Sequence, residues 1–119
     1  MSHNSELGKW GEQVAQKYLK SNGYTIVHRD WRSGHRDIDI VALYDDTLVF
    51  VEVKTRSTSD LASPEITIPP SKRRNLAAAI NHYIKSNYVE YDFRFDVITV
   101  IGSVGYEPKI EHLIDVNLF

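Results

Sequence analysis

The chain predicts an α/β domain, a mixed five-stranded sheet with a helix on each side. Three observations lead there. Residues 5–21 and the stretch from Ser71 to Ile84 carry apolar residues at helical spacing. Five other segments are short β-rich runs, so the order is helix, three strands, helix, two strands. The second helix separates the third and fourth strands, and a helical crossover of that kind joins parallel neighbours. At 119 residues the chain makes one domain, 1–119, large enough to bury roughly two-thirds of its unfolded surface.

In the first helix, Leu7, Trp10, Gly11, Val14, Ala15 and Tyr18 form one stripe. Asn22-Gly23 ends it, because glycine accepts the left-handed conformation that follows a helix. Tyr24 to Trp31 is the first strand, and Ser33-Gly34 turns the chain. Asp37 to Tyr44 reads acid, Ile38, acid, Ile40 and then turns apolar. Asp45-Asp46 makes a hairpin turn, and Thr47 to Thr55 returns as the third strand. Residues 56–70, rich in Ser, Thr and Pro, form a long connection with a short extended piece at Ile66-Thr67-Ile68. Ser71 is the expected cap of the second helix, whose stripe is Leu76, Ala77, Ile80, Tyr83 and Ile84. Phe93 to Ile101 is the fourth strand, and Ile110 to Val116, after Gly105 and Pro108, the fifth.

Composition removes several classes. Hydrophobic residues at 42% and charged residues at 25% are ordinary for a globular domain. No apolar run reaches about 18 residues, so no membrane span or membrane partner is expected. The first residues lack a basic region followed by an apolar stretch, so no signal peptide is expected either. The absence of cysteine excludes disulfides, thiolate metal sites and cysteine nucleophiles. Together these features point to the cytoplasm. The five histidines show no HExxH pairing, and no GxGxxG, Walker or GxSxG sequence occurs. Net charge is −2, yet basic residues gather at Arg29, Arg32 and Arg36, at Lys54 and Arg56, and at Lys72-Arg73-Arg74. Charge distribution matters more than the sum for a nucleic-acid partner.

The chemistry centres on FVEVKTR, residues 50–56. Side chains alternate faces along a strand, so Glu52 and Lys54 share one face and Val51 and Val53 the other. On the preceding strand, Asp37 and Asp39 stand against Ile38 and Ile40 by the same rule. Counting back from the hairpin, Tyr44 faces Thr47 and Asp39 faces Glu52, unless the register slips. Two facing acids repel, and a divalent cation answers the repulsion. Hard oxygen ligands suit Mg²⁺ or Mn²⁺, and a neighbouring lysine can stabilise charge developing at phosphorus or help position a water. The pattern is D…ExK, with twelve residues between Asp39 and Glu52.

Each part also has a plainer explanation. A Glu-x-Lys pair is a common surface ion pair, and Glu12, at the margin of the first helix's stripe, reads as a solvated flank or as an acid overhanging the sheet edge. Lys72-Arg73-Arg74 opens a helix, where cations oppose the dipole, and either a phosphate contact or an exposed basic turn accounts for it. Arg94 and Asp96 share a strand face and pair with each other or with a neighbour. Trp31 and Tyr106 suit core or rim packing, or stacking on bases. His35 fits a solvated loop.

Gly8, Gly11-Glu12, Asp37-Ile38-Asp39, Phe50 to Arg56, Pro64-Glu65, Lys72 and Arg94 to Val97 together resemble the YraN family. That resemblance implies a restriction-endonuclease-like fold similar to Holliday junction resolvases. By resemblance, Asp39, Glu52 and Lys54 match a nuclease signature and Glu12 matches the helix glutamate of junction resolvases. Together with the shared-face acids and lysine, this predicts a nuclease acting on DNA, branched or structured DNA included, in which Asp39 and Glu52 bind Mg²⁺ or Mn²⁺. In that reading Glu12 assists, Lys54 supports the attacking water, and the basic residues Arg56, Lys72 and Arg73 meet backbone phosphates. One departure stands out. The family usually reads Gly-Glu-Ile-Asp where this chain has Arg36-Asp37-Ile38-Asp39. The alternative is a module that keeps the fold without turnover and binds nucleic acid, or serves as a protein-interaction subunit of a DNA-processing complex. Two-fold junction-cutting enzymes suggest a homodimer by analogy.

Overall fold

In the computed structural model, which describes residues 5–57 and 68–118, the chain runs α1 (Glu6–Ser21), β1 (Thr25–Ser33), β2 (Arg36–Tyr44), β3 (Thr47–Arg56), α2 (Pro70–Ser86), β4 (Phe93–Ile101) and β5 (Lys109–Leu113). The strands lie in one sheet in chain order. β3 and β4 pair in parallel across the α2 crossover, and the other neighbours are antiparallel. This is the mixed five-stranded sheet flanked by helices that the sequence predicts. Of the expected extended piece at 66–68, Ile66 and Thr67 lie outside the described residues, as do Pro64 and Glu65. Ile68 is buried and belongs to no strand.

The helices cover opposite faces. Leu76, Ala79, Ile80 and Tyr83 of α2 pack on Val41, Leu48, Phe50, Phe95 and Val97. Ala15 and Leu19 of α1 pack on Ile40, Ala42, Val49, Val51, Val53, Ile98 and Val100. Along β3 the side chains therefore alternate cleanly between the two cores, which places Glu52 and Lys54 on the α2 face. α1 begins at Ser5, whose hydroxyl accepts the Gly8 N–H at 2.9 Å. It ends at Asn22, and Gly23 takes φ 90°. Gly11 has a different role. A Cβ there would run into Oγ1 and Cγ2 of Thr55, so the bare backbone sets how closely α1 approaches β3.

Two boundaries differ from expectation. Ser71 does not cap α2. Pro69 holds the cap position, Pro70 opens the first turn, and no side chain caps the helix. Proline at the first turn has no N–H to satisfy and a φ already suited to a helix. β5 stops at Leu113 rather than Val116, because Asp115 takes φ 59° and turns the chain. Val116 still donates its N–H to Phe95 O at 2.6 Å.

On the α1 face a buried polar network ties α1 to β4 and β5. Asp96, fully buried, accepts Arg94 Nε at 3.0 Å and Nη2 at 3.2 Å, and the Asp115 N–H at 3.0 Å. His112 Nε2 lies 2.7 Å away. The chain continues from His112 Nδ1 to the Tyr18 hydroxyl at 2.9 Å and from Arg94 to the Tyr24 hydroxyl at 2.7 Å. Burial alone would push the Asp96 carboxyl up. The His112, Arg94 and Asp115 donors outweigh it and hold the group below its usual range.

Two outcomes follow. Gly11→Ala lowers stability by about 1–3 kcal/mol through overpacking, and adding Thr55→Ala recovers part of that loss in thermal unfolding. Asp96 contributes stability that is present above the unfolded carboxyl value of about 3.9 and is lost as pH falls through its depressed folded value. Asp96→Asn therefore costs on the order of 3 kcal/mol at neutral pH and flattens the acid limb, which urea titrations across a pH series read directly.

Candidate functional site

The candidate site lies where β2 parts from β3. Their ladder runs from Tyr44↔Thr47 back to Ile40↔Val51 and stops there. Tyr44 faces Thr47 as counted, but Asp39 and Glu52 are not ladder partners. The reason is local. Asp39 Oδ2 accepts the Val53 N–H at 2.8 Å, so a side chain takes the donor that backbone pairing would have used. On the other edge of β2, pairing passes from Arg29↔Ile40 to Trp31↔Ile38. Asp30, between them, has φ 51°, in the left-handed region that few residues other than glycine adopt. β2 is thus interrupted on both edges at Asp39. The strict alternation expected from Asp37 to Ile40 fails there, since Ile38 and Ile40 pack into opposite cores.

Asp39 and Glu52 are buried, at 2% and 5% exposure, and hydrogen-bond to each other. Burial first, then the charge of Glu52 and their mutual hydrogen bond, push the Asp39 carboxyl up to about 9, against the opposing pull of the Val53 N–H. At neutral pH the pair therefore holds a proton. Glu52 Oε2 also lies 2.9 Å from Lys72 Nζ, on the first turn of α2. Burial tends to lower the Lys72 ammonium. The hydrogen bond it donates to Glu52 and the fields of Glu52 and Asp39 outweigh burial and raise the group.

The remaining predicted residues are placed as follows. Lys54 is half-buried on the Glu52 face, and its ladder partner across the parallel pair is Thr99. Thr99 Oγ1 is buried without a hydrogen-bond partner among the described residues. Glu12 is on α1, which packs on the opposite face of the sheet. It reaches Asp39 only as the weakest contributor to that acid's shift. Among the described residues, no group of three His, Cys, Asp or Glu side chains is arranged to hold a metal ion. Arg73 Nε donates to Ile68 O at 2.9 Å and braces the entry to α2. Arg56 closes β3, half-buried, with its carbonyl accepting the Gly102 N–H. Trp31 packs edge-on to Tyr83 and His82, and Tyr106 is exposed. A cavity of about 710 Å³ lies elsewhere, between α2 and the C-terminal segment, lined by Ala78, Ile84, Phe93, Val116 and Leu118 among others. None of the candidate acids lines it.

Two carboxyls in contact fit a hard divalent cation, since magnesium takes one or two carboxylates and completes its shell with water and phosphate oxygens. Asp39 and Glu52 would hold it, and it would take over the charge compensation now supplied by the shared proton. Lys72 as the partner of Glu52 was not visible in local spacing. The one sequence signal for it was a basic first turn set against the helix dipole.

The Uncharacterised protein family UPF0102 matches residues 11–100, and the chain belongs to it. A UPF0102 protein of Bacteroides fragilis is 45% identical over 113 residues, covering 95% of this chain and 93% of the relative. Another, from Flavobacterium psychrophilum, is 40% identical over 115 residues, covering 97% and 96%. Among solved structures, Pyrococcus furiosus SfsA in complex with Ca²⁺ matches 93% of this chain at 12% identity and TM-score 0.38. The chain spans 64% of the length of that structure.

The raised Asp39 group carries a stability signature. In the window between the unfolded value of about 3.9 and the folded value of about 9, the folded state binds the extra proton. Stability is then fully present below the window and falls as pH rises through it. Asp39→Asn mimics the protonated acid, so it leaves stability near pH 4 unchanged. At pH 8, about four units above the unfolded value, it raises stability by roughly 5 kcal/mol, as denaturant melts at the two pH values will report.

Proposed function

Starting from this family membership and the acid pair, we propose that the protein is a Mg²⁺- or Mn²⁺-dependent endonuclease with a restriction-endonuclease-like fold. It acts in the cytoplasm on DNA, including branched or structured DNA. The observation that carries the reading is the contact between two buried carboxyls, Asp39 and Glu52, with Lys54 two residues further along the Glu52 face. A fold gains nothing from burying two acids together, and a raised carboxyl beside a charged partner is the mark of a site.

Asp39 and Glu52 hold the cation, which when bound neutralises substrate charge and makes a water easier to deprotonate. The Val53 N–H fixes one Asp39 oxygen, so the acid meets its ligand in a set orientation. Lys54 supports the attacking water or the charge that builds at phosphorus. The unsatisfied Thr99 hydroxyl across the ladder leaves a polar position beside it. Glu12 assists through its field. Arg56, Lys72 and Arg73 belong to the end of the sheet where a backbone phosphate would sit, and a two-fold homodimer would present two such ends.

One observation favours a second reading, a module that binds nucleic acid or a DNA-processing complex without turnover. It is the occupation of Glu52 by Lys72, with no group of three His, Cys, Asp or Glu side chains arranged for a metal among the described residues. Cleavage assays on linear and four-way DNA with Mg²⁺ or Mn²⁺ separate the two. The endonuclease reading expects cleavage that falls at least about a hundredfold in Asp39→Ala and in Glu52→Ala. Equal activity in those variants removes the catalytic assignment. DNA affinity that drops steeply with salt, with no cleavage under any metal, selects the binding module.

A further inference from the structure

Lys72 stands where a helix disfavours it. The first turn of α2 has no acidic residue and no side-chain cap, and Arg73 and Arg74 add further positive charge at the dipole's positive end. Arg73 is tied to the Ile68 carbonyl. Lys72 gains instead from Glu52, at 2.9 Å. Its side chain is 46% exposed while that of Glu52 is 5% exposed, so an accessible, flexible arm fronts a buried acid. Lys54, the lysine of the D…ExK pattern, makes no ion pair among the described residues.

We propose that Lys72 is a displaceable counter-ion of the acid pair. It holds Glu52 while no cation is bound and yields that oxygen when a divalent cation arrives, which turns its ammonium toward a substrate phosphate. The proposal rests on Asp39 and Glu52 being cation ligands. Two cations on one carboxylate repel each other, and that repulsion is what drives the exchange. Lys72 therefore weakens cation binding in the free protein and couples cation loading to DNA affinity.

The test is calorimetric titration of Mn²⁺ into wild type, Lys72→Met, Lys72→Arg and Asp39→Ala. Lys72→Met binds Mn²⁺ several-fold more tightly than wild type, Lys72→Arg stays close to wild type, and Asp39→Ala loses binding. Equal or weaker binding in Lys72→Met overturns the counter-ion role and leaves the cation site standing. No binding in wild type or Lys72→Met overturns the cation site, and this proposal with it. Where Lys72→Met is unfolded without metal, circular dichroism reads the same point. Refolding on Mn²⁺ addition supports the exchange, and failure to refold overturns it. Fluorescence anisotropy with a labelled four-way DNA completes the test. Mn²⁺ raises wild-type affinity by a larger factor than Lys72→Met affinity, and equal factors overturn the turn toward phosphate.

Discussion

Two carboxyl groups buried side by side repel unless something positive, or a proton, stands between them. At the parting of β2 and β3 the chain supplies several such answers at once. Asp39 keeps a proton, the Val53 N–H holds one of its oxygens, and Lys72 covers Glu52 from the first turn of α2. The surrounding irregularities follow from this arrangement. The β2–β3 ladder ends because Asp39 has taken its next donor. Ile38 and Ile40 fall into different cores because β2 turns at the same residue, and Asp30 opposite carries the left-handed backbone. Strain and unusual dihedrals gather where a fold keeps a group that its stability would not choose.

A second buried aspartate shows what a structural acid looks like in the same molecule. Asp96 is as deeply buried as Asp39, yet donors from Arg94, His112 and Asp115 surround it and its carboxyl is driven down. Asp39 accepts the Val53 N–H and lies against another acid, and burial and the charge of Glu52 drive it up. Two equally buried aspartates are thus driven in opposite directions by the donors and acceptors around them. The Asp96 network pins α1 to β4 and β5, and the Gly11–Thr55 contact presses α1 onto β3. The polar network thus joins elements on the α1 face, while Asp39, Glu52 and Lys72 meet on the α2 side.

Much of this was legible in the sequence, and the limits have physical causes. Helical stripes, the Asp45-Asp46 hairpin and the crossover sufficed for the architecture, because period and turn chemistry act locally. FVEVKTR located Glu52 and Lys54 correctly because β3 alternates without interruption. The same rule misread β2, where Asp39 breaks the pleat it was used to count. Ser71 has the hydroxyl that usually caps a helix, but the helix starts before it, with Pro69 at the cap position and Pro70 in the first turn. Glu12 stands at the margin of the α1 stripe, and no local rule says which face of the sheet a preceding helix will cover. The Lys72–Glu52 pair is purely tertiary, formed across a segment that no periodicity spans.

Topology makes that pair less accidental than its sequence separation suggests. In a parallel β–α–β unit the helix must start near the end of the strand it follows and return toward the start of the next. Ligand sites in α/β sheets accordingly lie outside the carboxyl ends of the strands. β3 delivers Glu52 and Lys54 to that end, and β4 brings Thr99 beside them in register. The first turn of α2 arrives there as well, which brings Lys72 to Glu52. A chain that needed only a stable crossover would put an aspartate or a capping serine on that turn. This one puts Lys72, Arg73 and Arg74 there, accepting the dipole penalty. Glu52 answers Lys72 and the Ile68 carbonyl answers Arg73, so the acid pair and the entry to α2 between them hold two of the three cations at the dipole's positive end.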